Sequence, residues 1–86
     1  MDNDLIHNPG HYTHGDIECI DAIYASMSAP AFSGFLKGNC MKYLWRYEHK
    51  GMVEDLRKHR VYSWWLLLHE QGRFAMRKEI ADEKGQ

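Results

Sequence analysis

Apolar residues recur along this chain at helical spacing. Ile17, Ile20, Tyr24 and Met27 line one side of a helix expected from about Gly15 or Asp16 to Met27, and Asp16 and Glu18 stand where acids favour a helix N-terminus. Ser28-Ala29-Pro30 then punctuates: Ser28 suits an N-cap and Pro30 a first turn, which predicts a second helix from about Ala29 to His49. Phe32, Phe35, Leu36 and Cys40 supply its early apolar face, and Met41, Leu44 and Trp45 its later one. Gly34 and Gly38 each cost about 1 kcal/mol relative to alanine in a helix interior. Their expected use is close approach of another backbone, or of a ligand at Gly38-Asn39, and a break into two helices there is the alternative. A third helix is predicted from Met52 to about Gln71, with Val53, Leu56, Arg60, Trp64 and Leu68 on one face. Gly72 stops or interrupts it, and Arg73 to Glu83 reads as a short fourth helix through Phe74, Ile80 and Ala81. With no convincing strand and no internal repeat, the expected class is all-α: a small domain of three to four helices. Residues 15–72 form its core and 73–86 a C-terminal helix and tail. Residues 1–14 precede it as an ordered loop, where Asn8-Pro9-Gly10 marks a turn and Leu5, Ile6 and Tyr12 offer docking contacts.

Two of these helices carry polar stripes where a core-facing side would be apolar. Asn39, Lys42, Tyr43 and Arg46 fall at i, i+3, i+4 and i+7, and Asp55, Lys58, His59 and Tyr62 repeat that spacing after the break at Lys50-Gly51. If the break folds the helices back on each other, the stripes meet. Lys42 and Arg46, one turn apart, with Lys50 at the helix end, can grip successive phosphates, Arg as a planar fork and Lys as a point charge. The plainer reading pairs them with Glu48, Glu54, Asp55 or the acids of the first helix. Asp55, Glu54 and Glu18 are the candidate carboxylates for holding Mg²⁺ or orienting a nucleophile. Acids in a first turn also simply favour the helix dipole. His7, His11 and His14 lack a partner spaced as in an organised metal site, and His11 with Tyr12 reads better as a pair contacting a nucleobase. Tyr43, Trp45, Tyr47 and Tyr62 fit a core or interface as readily as a stacking box. No GxxxxGK[ST] loop is present, so any kinase activity is not of the P-loop kind.

Charge narrows the partners. Residues 1–36 hold Asp2, Asp4, Asp16, Glu18 and Asp21 with no Lys or Arg, whereas residues 37–60 hold seven Lys or Arg against three acids. An acidic segment of nearly matching size is available to neutralise the basic one, so nucleic acid is a poor partner for this chain. Cys19 and Cys40 read as reduced thiols. Asp2 and Asp4 stand where a secretory leader needs basic residues, and no apolar run is long enough for a bilayer; a cytoplasmic protein without a membrane partner is expected. The run Val61 to Leu68 is apolar nearly all round and must be covered on several sides, which predicts a homo-oligomer.

Four ordered blocks carry a family resemblance: Asn8-Pro9-x-His11-Tyr12-x-x-Gly15; Ile17-Glu18-Cys19-Ile20-Asp21-Ala22-Ile23; Gly38-Asn39-x-x-Lys42-Tyr43-x-x-Arg46; and Lys50-Gly51-x-x-Glu54-Asp55-Leu56-x-Lys58-x-x-x-Tyr62. Over about residues 7–68 the chain resembles the small bacteriophage family called SaV-like, which is similar to part of an early nucleotide kinase of short-tailed coliphages. The resemblance implies a nucleotide site, with Asn8, His11, Tyr12, Gly38, Asn39, Lys42, Arg46, Lys50, Asp55 and Lys58 at the recurrent polar positions. Met52 stands where the family commonly has a second glycine, and His59 where it usually has a small residue. The function expected is that of a phage nucleotide-binding protein in the cytoplasm of the host, and its enzymatic form is a P-loop-independent kinase of (deoxy)nucleoside monophosphates. In that reading Lys42, Arg46 and Lys58 bind phosphates and steady the transferred group, and Asp55 or Glu18 holds Mg²⁺. His11, Tyr12 and Asn39 then position base or sugar, beside Tyr43 and Lys50. The alternatives are a nucleotide binder without turnover, including a sponge for cyclic or defence-signalling nucleotides, and a helical adaptor that inhibits a host protein.

Overall fold

The computed structural model describes residues 18–80 of the chain. Helix α1 spans Cys19–Ser26, α2 spans Ala29–Arg46 and α3 spans Met52–Glu70, followed by a 3₁₀ helix, η1, over Phe74–Glu79. No strand occurs among the described residues. Each boundary has a local cause. Glu18 is extended and its N–H donates to Asp21 Oδ2 at 3.0 Å, so α1 begins at Cys19, later than the expected Gly15 or Asp16. Ser28 caps α2 by accepting the Ala31 N–H at 3.2 Å, with Pro30 in the first turn. The helix then runs unbroken through Gly34 and Gly38 and ends at Arg46 rather than His49. Residues 47–51 form a turn closed by the Met52 N–H on the Tyr47 carbonyl at 2.8 Å. Met52 itself takes φ +51°, left-handed backbone that suits glycine. Gly72, at φ +74°, ends the chain's longest helix.

The turn folds α3 back antiparallel to α2. Pairs along the seam show the register: Arg46 with Asp55, Cys40 with His59, Phe35 with Tyr62, and Ala29 and Phe32 with His69. On α3 these positions, with Leu66, form one helical line, and this largely polar line faces the partner helix. The expected apolar face of Val53, Leu56, Arg60, Trp64 and Leu68 is divided: Trp64 and Leu68 are buried, whereas Val53, Leu56 and Arg60 are exposed. The physical reason is that α3 has two neighbours, α2 on one side and η1 on another, neither centred on that line.

The core is aromatic. Phe32, fully buried, has its ring centroid 5.1 Å from Tyr24, 4.9 Å from Phe74 and 5.0 Å from His69, so one residue joins α1, η1 and α3. Ile20, Leu36 and Phe74 complete this cluster. Full burial of each such side chain contributes about 1.5–3 kcal/mol. The segment expected as a fourth helix to Glu83 is 3₁₀ and ends at Glu79, and residues 81–86 lie outside the described residues. Phe74 of η1 packs near Trp65, with centroids 6.0 Å apart, and Arg77 lies over the same indole. The chain's own C-terminal segment therefore provides part of the cover that the sequence assigns to a second copy.

Candidate functional site: a cationic flank at the turn end of the hairpin

The seam between α2 and α3 is polar at its turn end and aromatic further along. Arg46 Nε donates to Asp55 Oδ2 at 3.0 Å and Nη2 reaches Oδ1 at 3.5 Å. The guanidinium is half-buried and the carboxylate is 1% exposed. Gly51 makes this geometry possible, because a Cβ on its backbone would run into the Asp55 carboxyl group. The Arg46 hydrogen bond holds the Asp55 carboxyl below the usual aspartate range, against the opposing effect of burial; the Gly51 backbone and the Lys58 charge act in the same direction as Arg46. The same bond raises the Arg46 pKa further. One turn along, His59 Nδ1 lies 2.9 Å from the Cys40 carbonyl, which makes Nδ1 the protonated nitrogen and fixes the neutral ring's tautomer.

Beside that seam, three cations gather around one ring. Lys42 Nζ is 4.5 Å from the Tyr43 centroid, Arg46 Cζ 5.1 Å and Lys58 Nζ 5.5 Å. Tyr43 is stacked on Tyr62 at 5.7 Å with 23° between planes, and Tyr62 is itself edge-on to Phe35 and Trp65. Burial raises the Tyr62 phenol pKa, with smaller contributions from Tyr43 and Cys19. The platform is thus tied into the core, while Lys42 and Lys58 remain exposed. Asp55 is the carboxylate paired within this group, and its oxygens face Arg46. The ring quadrupole draws each cation in, and the cations repel one another. An anion placed among them relieves that repulsion.

The other sequence-derived positions are distributed differently. Asn39 donates through Nδ2 to the Phe35 carbonyl at 3.0 Å, a bond within its own helix. Lys50 is exposed in the turn, where its N–H bonds the Arg46 carbonyl at 3.0 Å. Glu18 and Asp55 are not brought together. Glu18 meets Arg77 Nη2 at 3.1 Å and Lys78 Nζ at 3.6 Å, and lines a small cavity of about 100 Å³ with Trp64 and Trp65. Trp64 stands roughly 14 Å along α3 from Asp55 at about 1.5 Å per residue. No group of three or more His, Cys, Asp or Glu side chains suited to a metal occurs among the described residues. Asn8, His11 and Tyr12, with His7 and His14, lie outside the described residues. A second groove, about 440 Å³, is lined by Met41, Leu44, Trp45, Glu48 and His49; neither cavity includes Lys42, Tyr43, Arg46 or Lys58. The cationic group therefore lies on an open flank of the hairpin rather than in either cavity.

Arg77 is a residue whose importance helical spacing does not reveal. It is buried, bonds Asp21 Oδ1 at 2.8 Å as well as Glu18, and lies 4.5 Å from the Phe74 centroid. Its hydrogen bond holds the Asp21 carboxyl below the usual range. The signal lay in charge: α1 carries acids with no neighbouring base, and a base from elsewhere had to meet them.

These features define a helical-hairpin domain with an aromatic-backed cationic flank. Residues 6–63, well over half of the chain, match DUF3310, described as a family of proteins of unknown function, and the chain belongs to that family. No curated protein and no solved structure gives a significant match. No helix among the described residues is long and apolar enough to cross a membrane.

Proposed function

We propose that the Lys42–Arg46–Lys58 flank binds the phosphates of a nucleotide. The observation that carries this reading is the convergence of three cations on the Tyr43 ring with one buried carboxylate among them. Phosphate suits that arrangement: Lys42 and Lys58 offer mobile point charges at the surface, and Arg46, fixed by Asp55, offers N–H groups from a rigid plane. The resemblance to the SaV-like family supports a nucleotide as the carrier of those phosphates, and His11 and Tyr12 are its candidate base contacts. In the enzymatic form of this reading, the protein transfers a phosphoryl group between nucleotides without a P-loop, and positioning and charge neutralisation by Lys42, Arg46 and Lys58 supply the catalysis. Mg²⁺ would then be held chiefly by the nucleotide's own phosphates, with Asp55 or Glu18 the candidate protein carboxylates.

A specific observation favours binding without turnover as the second reading. Both Asp55 oxygens face Arg46, and the carboxylate is almost wholly buried. In that state it positions a guanidinium rather than a metal ion or an attacking hydroxyl. Isothermal titration with nucleoside mono-, di- and triphosphates and cyclic dinucleotides, followed by product analysis with ATP and Mg²⁺, separates the two. Saturable binding with product formation supports the kinase, and saturable binding alone supports the binder. Absence of binding to every member of the panel overturns both.

A further inference from the structure

Among the described residues, nothing covers the outward side of α2. Ala31, Gly34, Gly38, Met41 and Trp45 succeed one another at steps of three and four, and Glu48 continues the line into the turn. This line is opposite the buried one through Phe32, Leu36 and Cys40. Met41 is exposed and Trp45 is 85% exposed, with Leu44 exposed beside them. Outside their own helix, nothing among the described residues lies within 4 Å of where a Cβ would sit on Gly34 or Gly38. Two glycines in a helix interior lower its stability relative to alanine, and an open indole leaves apolar surface in water. The described residues use neither.

The line is graded, small in its first half and bulky in its second. We propose that a second copy of this chain docks on it, with the two α2 helices antiparallel about a twofold axis passing between Gly38 and Met41. That register sets Met41 of each copy on Gly38 of the other and Trp45 on Gly34, so large side chains fill the flat steps made by small ones. The charges add one favourable contact: the first turn of α2 contains no acid of its own, and the same register brings Glu48 of each copy to Ala31 of the other, beside the positive helix end where Glu70 already accepts from the Ser33 hydroxyl. A single pairing thus accounts for the glycines, the exposed tryptophan and the helix end, and each contact occurs twice by symmetry. Lys42, next to Met41, stands at the rim of this contact, and the pairing does not rest on the nucleotide proposal.

Sedimentation equilibrium of the full chain tests this. The chain is 10.2 kDa, and a species of twice that mass is expected at micromolar concentration. Trp45→Glu and Gly38→Leu should each weaken dimerisation at least tenfold while the helical circular dichroism is retained. Gly34→Ala is the discriminating variant, because open space at Gly34 lets alanine strengthen the isolated helix. Its dilute monomer should melt higher than wild type while its dimer dissociates more readily. A wild-type monomer at 100 µM would overturn the proposal, as would a dimer unaffected by Trp45→Glu and Gly38→Leu.

Discussion

Met52→Gly should make this protein more stable. Met52 takes φ +51°, where a Cβ crowds the carbonyl oxygen, and L-residues lose roughly 1–2 kcal/mol there. Glycine removes that strain but adds conformational freedom to the unfolded chain, worth about 0.4–1 kcal/mol. The methionine side chain is largely exposed, so little packing is lost. At the middle of those ranges the balance is a gain of about 0.8 kcal/mol, or roughly 3–6 °C in melting temperature for a domain of this size. Thermal melts followed by circular dichroism at 222 nm measure it. Met52→Ala is the control, since it removes the side chain but keeps the Cβ and therefore the strain. The reasoning is refuted if Met52→Gly melts no higher than Met52→Ala.

Other consequences follow from the core, the turn and the C-terminal segment. Phe32→Ala empties the point where α1, α3 and η1 meet, at about 3–5 kcal/mol; against a typical total of about 5–15 kcal/mol, it should shift the urea midpoint by a large fraction, and a small shift would show that the aromatic cluster is not the core. Gly51→Ala forces the Asp55 carboxyl out of its place beside Arg46, and NMR titration of the Asp55 carboxyl carbon should show its pKa rising towards the ordinary value of about 3.9; an unchanged titration would contradict the close approach. Asp21 and Asp55 both have folded pKa values below that ordinary value, so the stability they contribute is complete above it and is lost as pH falls through the lower folded values. Arg77→Gln removes the partner of Asp21, and its stability should therefore depend less on pH than wild type over roughly pH 5 to 2; equal acid sensitivity would remove Arg77 as the cause.

The hairpin itself was legible because its signals are local. Ser28 as a cap, Pro30 behind it and the break near Gly51 each act within a few residues. The side of α3 that meets α2 was less legible. Its apolar residues are spread between two neighbours, and the seam is closed by Asp55, His59 and His69, whose polar atoms find Arg46 and the carbonyls of Cys40 and Ala29. Hydrophobicity does not register such bonds. The stripes Asn39-Lys42-Tyr43-Arg46 and Asp55-Lys58-His59-Tyr62 do adjoin one another, yet their members divide by role. Asn39 satisfies its own helix and His59 joins two helices, while Lys42 and Lys58 remain exposed over Tyr43. Which cation keeps its charge available depends on where the one acid buried among the described residues lies, and Asp55 reached Arg46 only because the turn between them has the right length. Arg77 was the least legible, since it finds Glu18 and Asp21 across almost the whole described chain.

The claim on which the functional account rests is that Lys42, Arg46 and Lys58 act together on phosphate. Isothermal titration of the 86-residue chain with deoxynucleoside mono- and triphosphates, repeated with Lys42→Ala and Lys58→Ala, tests it most directly. Both substitutions alter exposed side chains and should leave the fold intact by circular dichroism. The account predicts saturable binding that each variant weakens at least tenfold and that added salt weakens further. Wild-type protein that binds no phosphate-bearing ligand, or folded variants that bind as well as wild type, would contradict it.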